Sequence, residues 1–418
     1  MKILFLSENF PPESNAAATR VYERACYWAA WGHDVTIITS NPNFPEGRLF
    51  PGYENRWRQE EHMDGLRIVR VKTYISANRG VLRRTLDFLS FMLTGAWAGL
   101  RVPRPDVVSA TSPQFFAAVA GWFIGAVRRV PFVFELGDLW PESIAAVGAM
   151  KKSFALAQVE KLELFLYRQS SAVAALTRSF KKNLVGRGIH PDKIAVVMNG
   201  VDLSRYAPRP RDKELASTLN LQDRFVVGYV GTHGMAHALS NVLDTAALLR
   251  EESDISFLLA GAGAEREGLM KEATRRDLRN VIFLERQPKD RMPAVWSLCS
   301  VALVHLKDSS VFAGVIPSKI FEAQAMGLPV LLAAPTGEAS TIIEEDECGL
   351  HVPAENPNDL AAAILGMRGD KKLLETFASK SLKAASTHSR EAQARQMLRV
   401  LELASMGKGL EAGEENPS

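Results

Sequence analysis

The sequence predicts an α/β protein built from two Rossmann-like domains that face each other across a central cleft. Three observations carry that reading. At 418 residues the chain is long enough for two cores of ordinary size. Short β-rich runs alternate with helix-compatible segments through both halves, the pattern of right-handed βαβ units around mainly parallel sheets. The alternation pauses once, at Asn199-Gly200-Val201-Asp202 and the following Pro208-Arg209-Pro210-Arg211, a composition that suits an interdomain linker.

Strands are expected at 3–6, 35–39, 66–71, 107–110, 132–135, 173–176 and 194–197 in the first half, and at 225–230, 255–259, 281–284, 301–304 and 330–332 in the second. Domains of 1–202 and 203–388 follow. Residues 389–405 carry Ala, Met and Leu at helical spacing beside an Arg-rich side, so they read as a closing helix packing back towards the N-terminal domain. Residues 406–418 are Gly- and Glu-rich without apolar periodicity and read as a disordered tail.

Hydrophobic residues make up 47% and charged residues 23%, the balance of a globular protein. Lys plus Arg number 50 against 47 Asp plus Glu, a net charge of +3 that is too small to make nucleic acid the main partner. Cys26, Cys299 and Cys348 are odd in number and far apart, which fits reduced packing thiols of the cytosol and supports neither a disulfide framework nor a zinc site. Residues 1–6 read as a buried first strand and not as a secretory leader, because the run stops at Ser7-Glu8 and no small-residue cleavage site follows.

The apolar stretches 88–100 and 115–127 fall short of the roughly 18 to 20 residues that span a bilayer. Arg79, Arg83 and Arg84 precede the first of them, and Arg101 and Arg104 follow it. Such a segment can lie flat on an anionic leaflet, or it can be a buried Rossmann helix with basic ends.

In open α/β sheets ligands sit beyond the carboxyl ends of the strands, and the segment from Gly314 to Pro329 is the most informative one there. Pro317 suits the first helical position, while Gly327 and Pro329 mark the stop, which brackets a helix of about ten residues. Free amides and the dipole at its start favour a diphosphate. Lys319 and Glu322 are three residues apart and share a face, either as a phosphate and sugar-hydroxyl contact or as an ordinary surface pair. Gly231 and Gly234 allow close backbone approach beside a phosphate. Ala260-Gly261-Ala262-Gly263 follows a strand and precedes a helix, although its spacing is not that of a dinucleotide fingerprint.

On the other side, Asn9 to Arg20 joins the first strand to the first helix and contains Glu13, Asn15, Ala16-Ala17-Ala18 and Arg20. The small residues serve either ligand approach to the helix start or tight helix-to-sheet packing, and Arg20 is the expected anion contact. Asp138 follows the strand at 132–135 beside Gly137. It is either an active-site acid at a strand end or the cap of the next helix.

Taken in order, Phe10-Pro11-Pro12, Gly32-His33-Asp34-Val35, Asp138-Leu139-Trp140-Pro141-Glu142-Ser143, Asn199-Gly200-Val201-Asp202, Gly231-Thr232-His233-Gly234 and Ile316-Pro317-Ser318-Lys319 make the chain resemble glycosyltransferase family 4, the large retaining family with the GT-B fold. Within it the resemblance is to bacterial O-antigen and capsule transferases of the N-acetyl-L-fucosamine type. The likeness covers nearly the whole chain. It implies a nucleotide-sugar donor, with uridine diphosphate as the carrier, a lipid-linked glycan acceptor, and a cytoplasmic enzyme working peripherally at the inner face of the membrane.

The resemblance also assigns residues. Donor contacts fall on Gly231, Thr232, His237, Gly261, Gly263, Gly314, Val315, Ile316, Pro317, Ser318, Lys319 and Glu322, with backbone at Arg286 and Gln287 holding the base; Asn15, Ala16, Arg20 and Asp138 fall on the acceptor side. The family often carries two glutamates eight positions apart. Glu322 matches the second, but Gly314 stands where the first would be, so the sugar-facing contact is expected from backbone at 313–316. Thr232 and His237 stand roughly where many members have an Arg and a Lys; a histidine is a weaker, pH-dependent cation, and when neutral it still donates one hydrogen bond.

Retention puts the acceptor on the face from which the nucleotide leaves, so catalysis rests on positive groups at the departing diphosphate and on positioning. No Asp-x-Asp pair stands at a strand end among these candidates, and neither a metal nor another cofactor is required. Two other readings share the architecture: a nonhydrolysing nucleotide-sugar 2-epimerase, and a noncatalytic nucleotide-sugar-binding subunit.

Overall fold

A computed structural model describes residues 1–13, 15–44, 46–76, 81–112, 115–139 and 154–410. The chain forms two compact units, Met1–Asn199 with Gln393–Ser418, and Gly200–Ala392.

The first unit is an eight-stranded sheet in the order β3-β4-β2-β1-β5-β6-β7-β8. The strands are β1 (Lys2–Leu6), β2 (Asp34–Ser40), β3 (Arg58–Met63), β4 (Leu66–Val71), β5 (Val107–Thr111), β6 (Phe132–Leu136), β7 (Ala172–Ala175) and β8 (Ile194–Val196). Alternation along β1 feeds two cores. Ile3 and Phe5 point to one face with Trp28, Val35 and Ile37; Leu4 and Leu6 point to the other with Ile38, Phe91 and Ile124. Helix α1 (Ala16–Ala30) supplies the first face, and α2 (Val81–Gly99), α3 (Phe115–Arg128), α4 (Phe154–Gln169) and α5 (Arg178–Gly186) supply the second.

All expected strands form, and one more joins them. β3 has no apolar alternation and runs antiparallel to β4 at the sheet edge. Its signal was the two-residue turn Asp64-Gly65, both at positive φ, the chemistry of a tight hairpin. Glu60 ties it down through Arg67 of β4, and Glu61 through Arg70.

The second unit is a six-stranded parallel sheet, β11-β10-β9-β12-β13-β14, with β9 (Phe225–Val230), β10 (Ile255–Ala260), β11 (Val281–Leu284), β12 (Val301–His305), β13 (Val330–Ala333) and β14 (Gly349–Val352). In chain order this is 3-2-1-4-5-6, the doubly wound arrangement whose switch point lies between β9 and β12. The edge strand β14 was not expected; it is four residues long, and a Cβ on Gly349 would collide with the Val330 carbonyl oxygen. Helices α6 (Lys213–Thr218), α7 (Ser240–Leu248), α8 (Arg266–Arg275), α9 (Met292–Trp296), α10 (Lys319–Ala325), α11 (Glu338–Glu345), α12 (Pro357–Gly369) and α13 (Lys371–Thr387) complete it.

The expected linker is held at one point by backbone bonds. Val201 N–H donates to the His388 carbonyl at 2.8 Å, and Arg390 N–H donates to the Val201 carbonyl at 2.8 Å. Helix α14 (Arg390–Ser405) follows, and from Gln393 it belongs to the first unit. There Ala394, Met397, Leu398 and Leu401 join the core of β1 and α1, and the Trp28 indole donates to the Ala394 carbonyl at 2.9 Å. Leu410 packs against the same core; residues 411–418 of the expected tail lie outside the described residues.

Candidate active site

The carboxyl ends of β9, β10, β11 and β12 converge on the switch point, and backbone bonds carry the sheet's order into the loops beyond. Gly231 N–H donates to Ala260 at 2.9 Å, His233 N–H to Ala262 at 2.9 Å and Gly261 N–H to Leu284 at 3.0 Å. A Cβ on Gly261 would collide with the Gly231 carbonyl, and one on Gly263 with the His233 backbone. These two glycines are therefore required by the neighbouring loop, not only by a ligand. A Cβ on Gly231 would stand 3.0 Å from the Lys319 ammonium, so this glycine makes room for the lysine.

Helix α10 is shorter than expected. It starts at Lys319, not at Pro317, and has seven residues in place of about ten. Ile320 N–H bonds to Pro317 and Phe321 N–H to Ser318, so the entry is a tighter i→i+3 turn. The stop is as expected: Gly327 has φ +69°, and Leu328 N–H returns to the Ala323 carbonyl at 3.0 Å. Gly314 closes a short 3-10 turn, Ser310–Gly314. Val315 and Ser318 are exposed, Ile316 is half-buried and Pro317 is buried.

Lys319 is buried and its Nζ has no hydrogen-bond partner among the described residues. The ammonium lies 4.0 Å from the centroid of the Tyr229 ring, a cation–π contact that replaces part of its lost hydration. Burial pushes its pKa down to about 7, against a smaller opposing pull from Glu322. Glu322 makes no ion pair with it but accepts the Trp296 indole N–H at 3.1 Å. Burial raises the Glu322 carboxyl above the usual range, although Trp296, Lys319, Arg390 and Arg205 act the other way.

His237 corrects the expectation made for it. Its Nδ1 lies 3.3 Å from the His305 carbonyl, so the ring's proton is spent on that oxygen and the neutral ring has no N–H left for a phosphate. Burial and Lys319 push its pKa down to about 4, so in this state it is not a cation at neutral pH. Thr232 and Arg286 are exposed, Gln287 is half-buried, and the Gln287 amide turns to the Glu285 carbonyl at 3.1 Å.

Sequence reasoning passed over His233, His305 and Tyr229. Among the described residues, His233 is fully buried with neither ring nitrogen bonded, and the Nδ1 of His305 is likewise buried and unbonded; burial lowers both to about 4. His305 ends β12 and His233 lies three residues past the end of β9; for His305 a polar residue closing an apolar run was the available signal.

In the first unit Arg20 is not a free anion contact. Its Nε bonds to Glu135 at 3.0 Å and its Nη2 to Thr111 at 3.2 Å, while Arg24 takes the other Glu135 oxygen at 2.6 Å. All three ions are buried. Burial pushes Glu135 up, but Arg24 and Arg20 outweigh it and hold the carboxyl below its ordinary range. Asn15 caps α1, accepting from Ala18 N–H at 2.9 Å, and Ala16 is the first residue of that helix. Glu13 accepts backbone N–H groups of Asn43 and Phe44, each at 2.8 Å. Asp138 is half-buried past the end of β6, its N–H bonded to Ser112 Oγ at 3.2 Å. The rest of its motif, Trp140 to Ser143, lies outside the described residues.

Residues 15–200 match the Glycosyl transferase 4-like domain family, and residues 210–383 match the Glycosyl transferases group 1 family. The chain is a GT-B glycosyltransferase of the family 4 type. The glycosyltransferase is 26% identical over 378 residues to WcaI of Escherichia coli strain K12, named for colanic acid biosynthesis, covering 88% of this chain and 91% of WcaI. It is 26% identical over 270 residues to WbjE of Pseudomonas aeruginosa, named as a glycosyltransferase, covering 63% of this chain and 66% of WbjE. In fold it is similar to Anabaena Alr3699/HepE in complex with UDP, at a TM-score of 0.71 and 19% identity, covering 96% of this chain and 100% of that one.

Proposed function

We propose that this glycosyltransferase moves a sugar, in our reading an N-acetylated deoxyhexosamine, from a uridine diphosphate carrier to a lipid-linked glycan with retention of configuration. The reaction serves exopolysaccharide, capsule or O-antigen assembly at the inner face of the membrane. One observation carries the donor side: a buried ammonium with no hydrogen-bond partner among the described residues, Lys319, at the switch point of a doubly wound sheet. A group that costs stability in the free protein and faces the place where such sheets bind ligands is built for an anion that arrives later. The complex of Alr3699/HepE with UDP and the naming of WcaI for colanic acid biosynthesis support the carrier and the setting.

In this reading Lys319 meets the diphosphate and Glu322 the ribose. Backbone at Gly231, Thr232, Gly261, Gly263 and Gly314 to Ser318 lines the phosphates and sugar, and backbone at Arg286 and Gln287 holds the base. Charge grows on the leaving diphosphate as the sugar bond breaks, and a fixed ammonium in a dry site stabilises that charge more than it stabilises the ground state. Asp138 orients the acceptor, with Asn15 and Ala16 nearby in sequence. Arg20 acts through Glu135 as a positioning residue. No metal enters these steps.

The test is incubation with a panel of nucleotide sugars, with and without lipid-linked acceptor, followed by mass spectrometry and anomeric assignment by NMR. Sugar transferred with its configuration kept is expected. Isomerised nucleotide sugar would mean an epimerase, and unchanged sugar would mean a noncatalytic binding subunit.

A further inference from the structure

The donor end of the second unit gathers more nitrogen bases than it can charge. Lys319 lies on Tyr229 of β9. The Tyr229 ring also meets His233 and His237, each at 5.9 Å between centroids. His305 enters from the end of β12 through its carbonyl bond to His237, and Arg266 enters from the head of α8 as a positive neighbour of His233. The one acid acting on Lys319 among the described residues is Glu322, which already holds the Trp296 N–H and answers to Arg205 and Arg390 as well. Protons placed on these bases would repel one another in a site with little water.

Two hydrogen bonds fix where protons can go. The Asn241 amide lies 2.8 Å from Nε2 of His305, which makes that nitrogen the acceptor. His237 spends Nδ1–H on the His305 carbonyl, which leaves Nε2 with a lone pair and no bond among the described residues. A phosphate oxygen brought to that lone pair would be repelled; brought to an Nε2–H it would be held by a charge-assisted bond.

We propose that the diphosphate of the donor draws protons from solvent into this cluster, forming an N–H bond at Nε2 of His237 and completing the ammonium of Lys319, so that nucleotide binding is coupled to proton uptake. The inference rests on the donor-site reading above. The low proton affinity of Lys319 and His237 in the free protein supports it, because an arriving dianion raises both. In place of permanently charged side chains, the site takes on charge as the anion enters.

Calorimetric titration of the full-length protein with UDP at about pH 7.5, in buffers of different ionisation enthalpy, counts the protons. Uptake of up to about two protons per UDP is expected, one at His237 and most of one at Lys319, with affinity falling up to about a hundredfold per pH unit between about pH 7 and 8.5. The phosphate's own second ionisation, near 6, is nearly complete in that range. Uridine, which lacks the diphosphate, should bind without uptake. Lys319→Arg should hold UDP while losing the lysine's share of the uptake, because arginine stays protonated, and His237→Gln should lose the rest. UDP that binds with the same enthalpy in every buffer overturns the coupling and leaves the donor site standing. No UDP binding at all removes both.

Discussion

A lysine that meets no acceptor among the described residues and rests on a phenol ring is held at a cost. Burying an unsatisfied charged group costs at least about 1–3 kcal/mol, so Lys319→Met should raise the stability of the free protein by about that much while cutting kcat/KM by about 10²–10³. Urea denaturation and turnover assays check the two halves. The pH sign follows from proton counting. Lys319 binds fewer protons folded than unfolded from about pH 7 up to the ordinary lysine range, so its penalty is full below that window and fades as pH rises through it. The stability gain of the Met variant should therefore be larger at about pH 6.5 than at about pH 10; a gain that grows with pH would exclude a buried ammonium.

Glu135 is the opposite case, a buried carboxylate satisfied by Arg20 and Arg24. Removing one member of such a set leaves charge uncompensated, and Glu135→Gln should cost about 3–5 kcal/mol at neutral pH by chemical denaturation. Its folded pKa is depressed, so its contribution is complete above the unfolded value and is lost as pH falls through the folded one. Wild type and variant should converge in acid.

At the scale of elements, the loops past β9 and β10 are fitted to each other before any ligand binds. Gly261→Ala would drive a methyl group into the Gly231 carbonyl and should destabilise the protein by at least about 2 kcal/mol, with UDP binding lost at the same time. Helices α2 and α3 raise a different question. Their outer positions expose Leu86 (44%), Leu93 (66%), Phe123 (43%) and Val127 (55%), and Arg101 lies over Trp97. Among the described residues no helix is long and apolar enough to cross a membrane. An exposed apolar strip with arginines near it suits an anionic leaflet. Flotation with anionic liposomes should carry the wild type upward and leave Leu93→Glu/Phe123→Glu behind; a wild type that stays down defeats peripheral binding.

At the scale of the whole molecule, α14 is the last helix among the described residues and serves the first unit's core. Met397 and Leu401 are fully buried there, and large-to-small changes at such sites cost about 2–5 kcal/mol each. Truncation after residue 392 should therefore give aggregated protein. Truncation after residue 410 should melt at the temperature of the full chain, and light scattering with thermal denaturation separates the two.

The sequence by itself determined the two α/β halves, because strand and helix periods are local properties that survive without partners: β4, β9 and β11 fall where alternation placed them. It also determined the stop of α10, since Gly327 is needed at positive φ wherever that helix ends. Only the tertiary structure decided the chemistry at the helix's front. Lys319 and Glu322 are three positions apart in any reading, but the burial of the ammonium, its place on Tyr229 and the pairing of His237 with His305 depend on strands about 80 residues apart in the chain. Arg20 shows the same limit, because its partner Glu135 is 115 positions away. Proton affinity follows from solvent exclusion and neighbouring charge, and neither can be read from spacing along a chain.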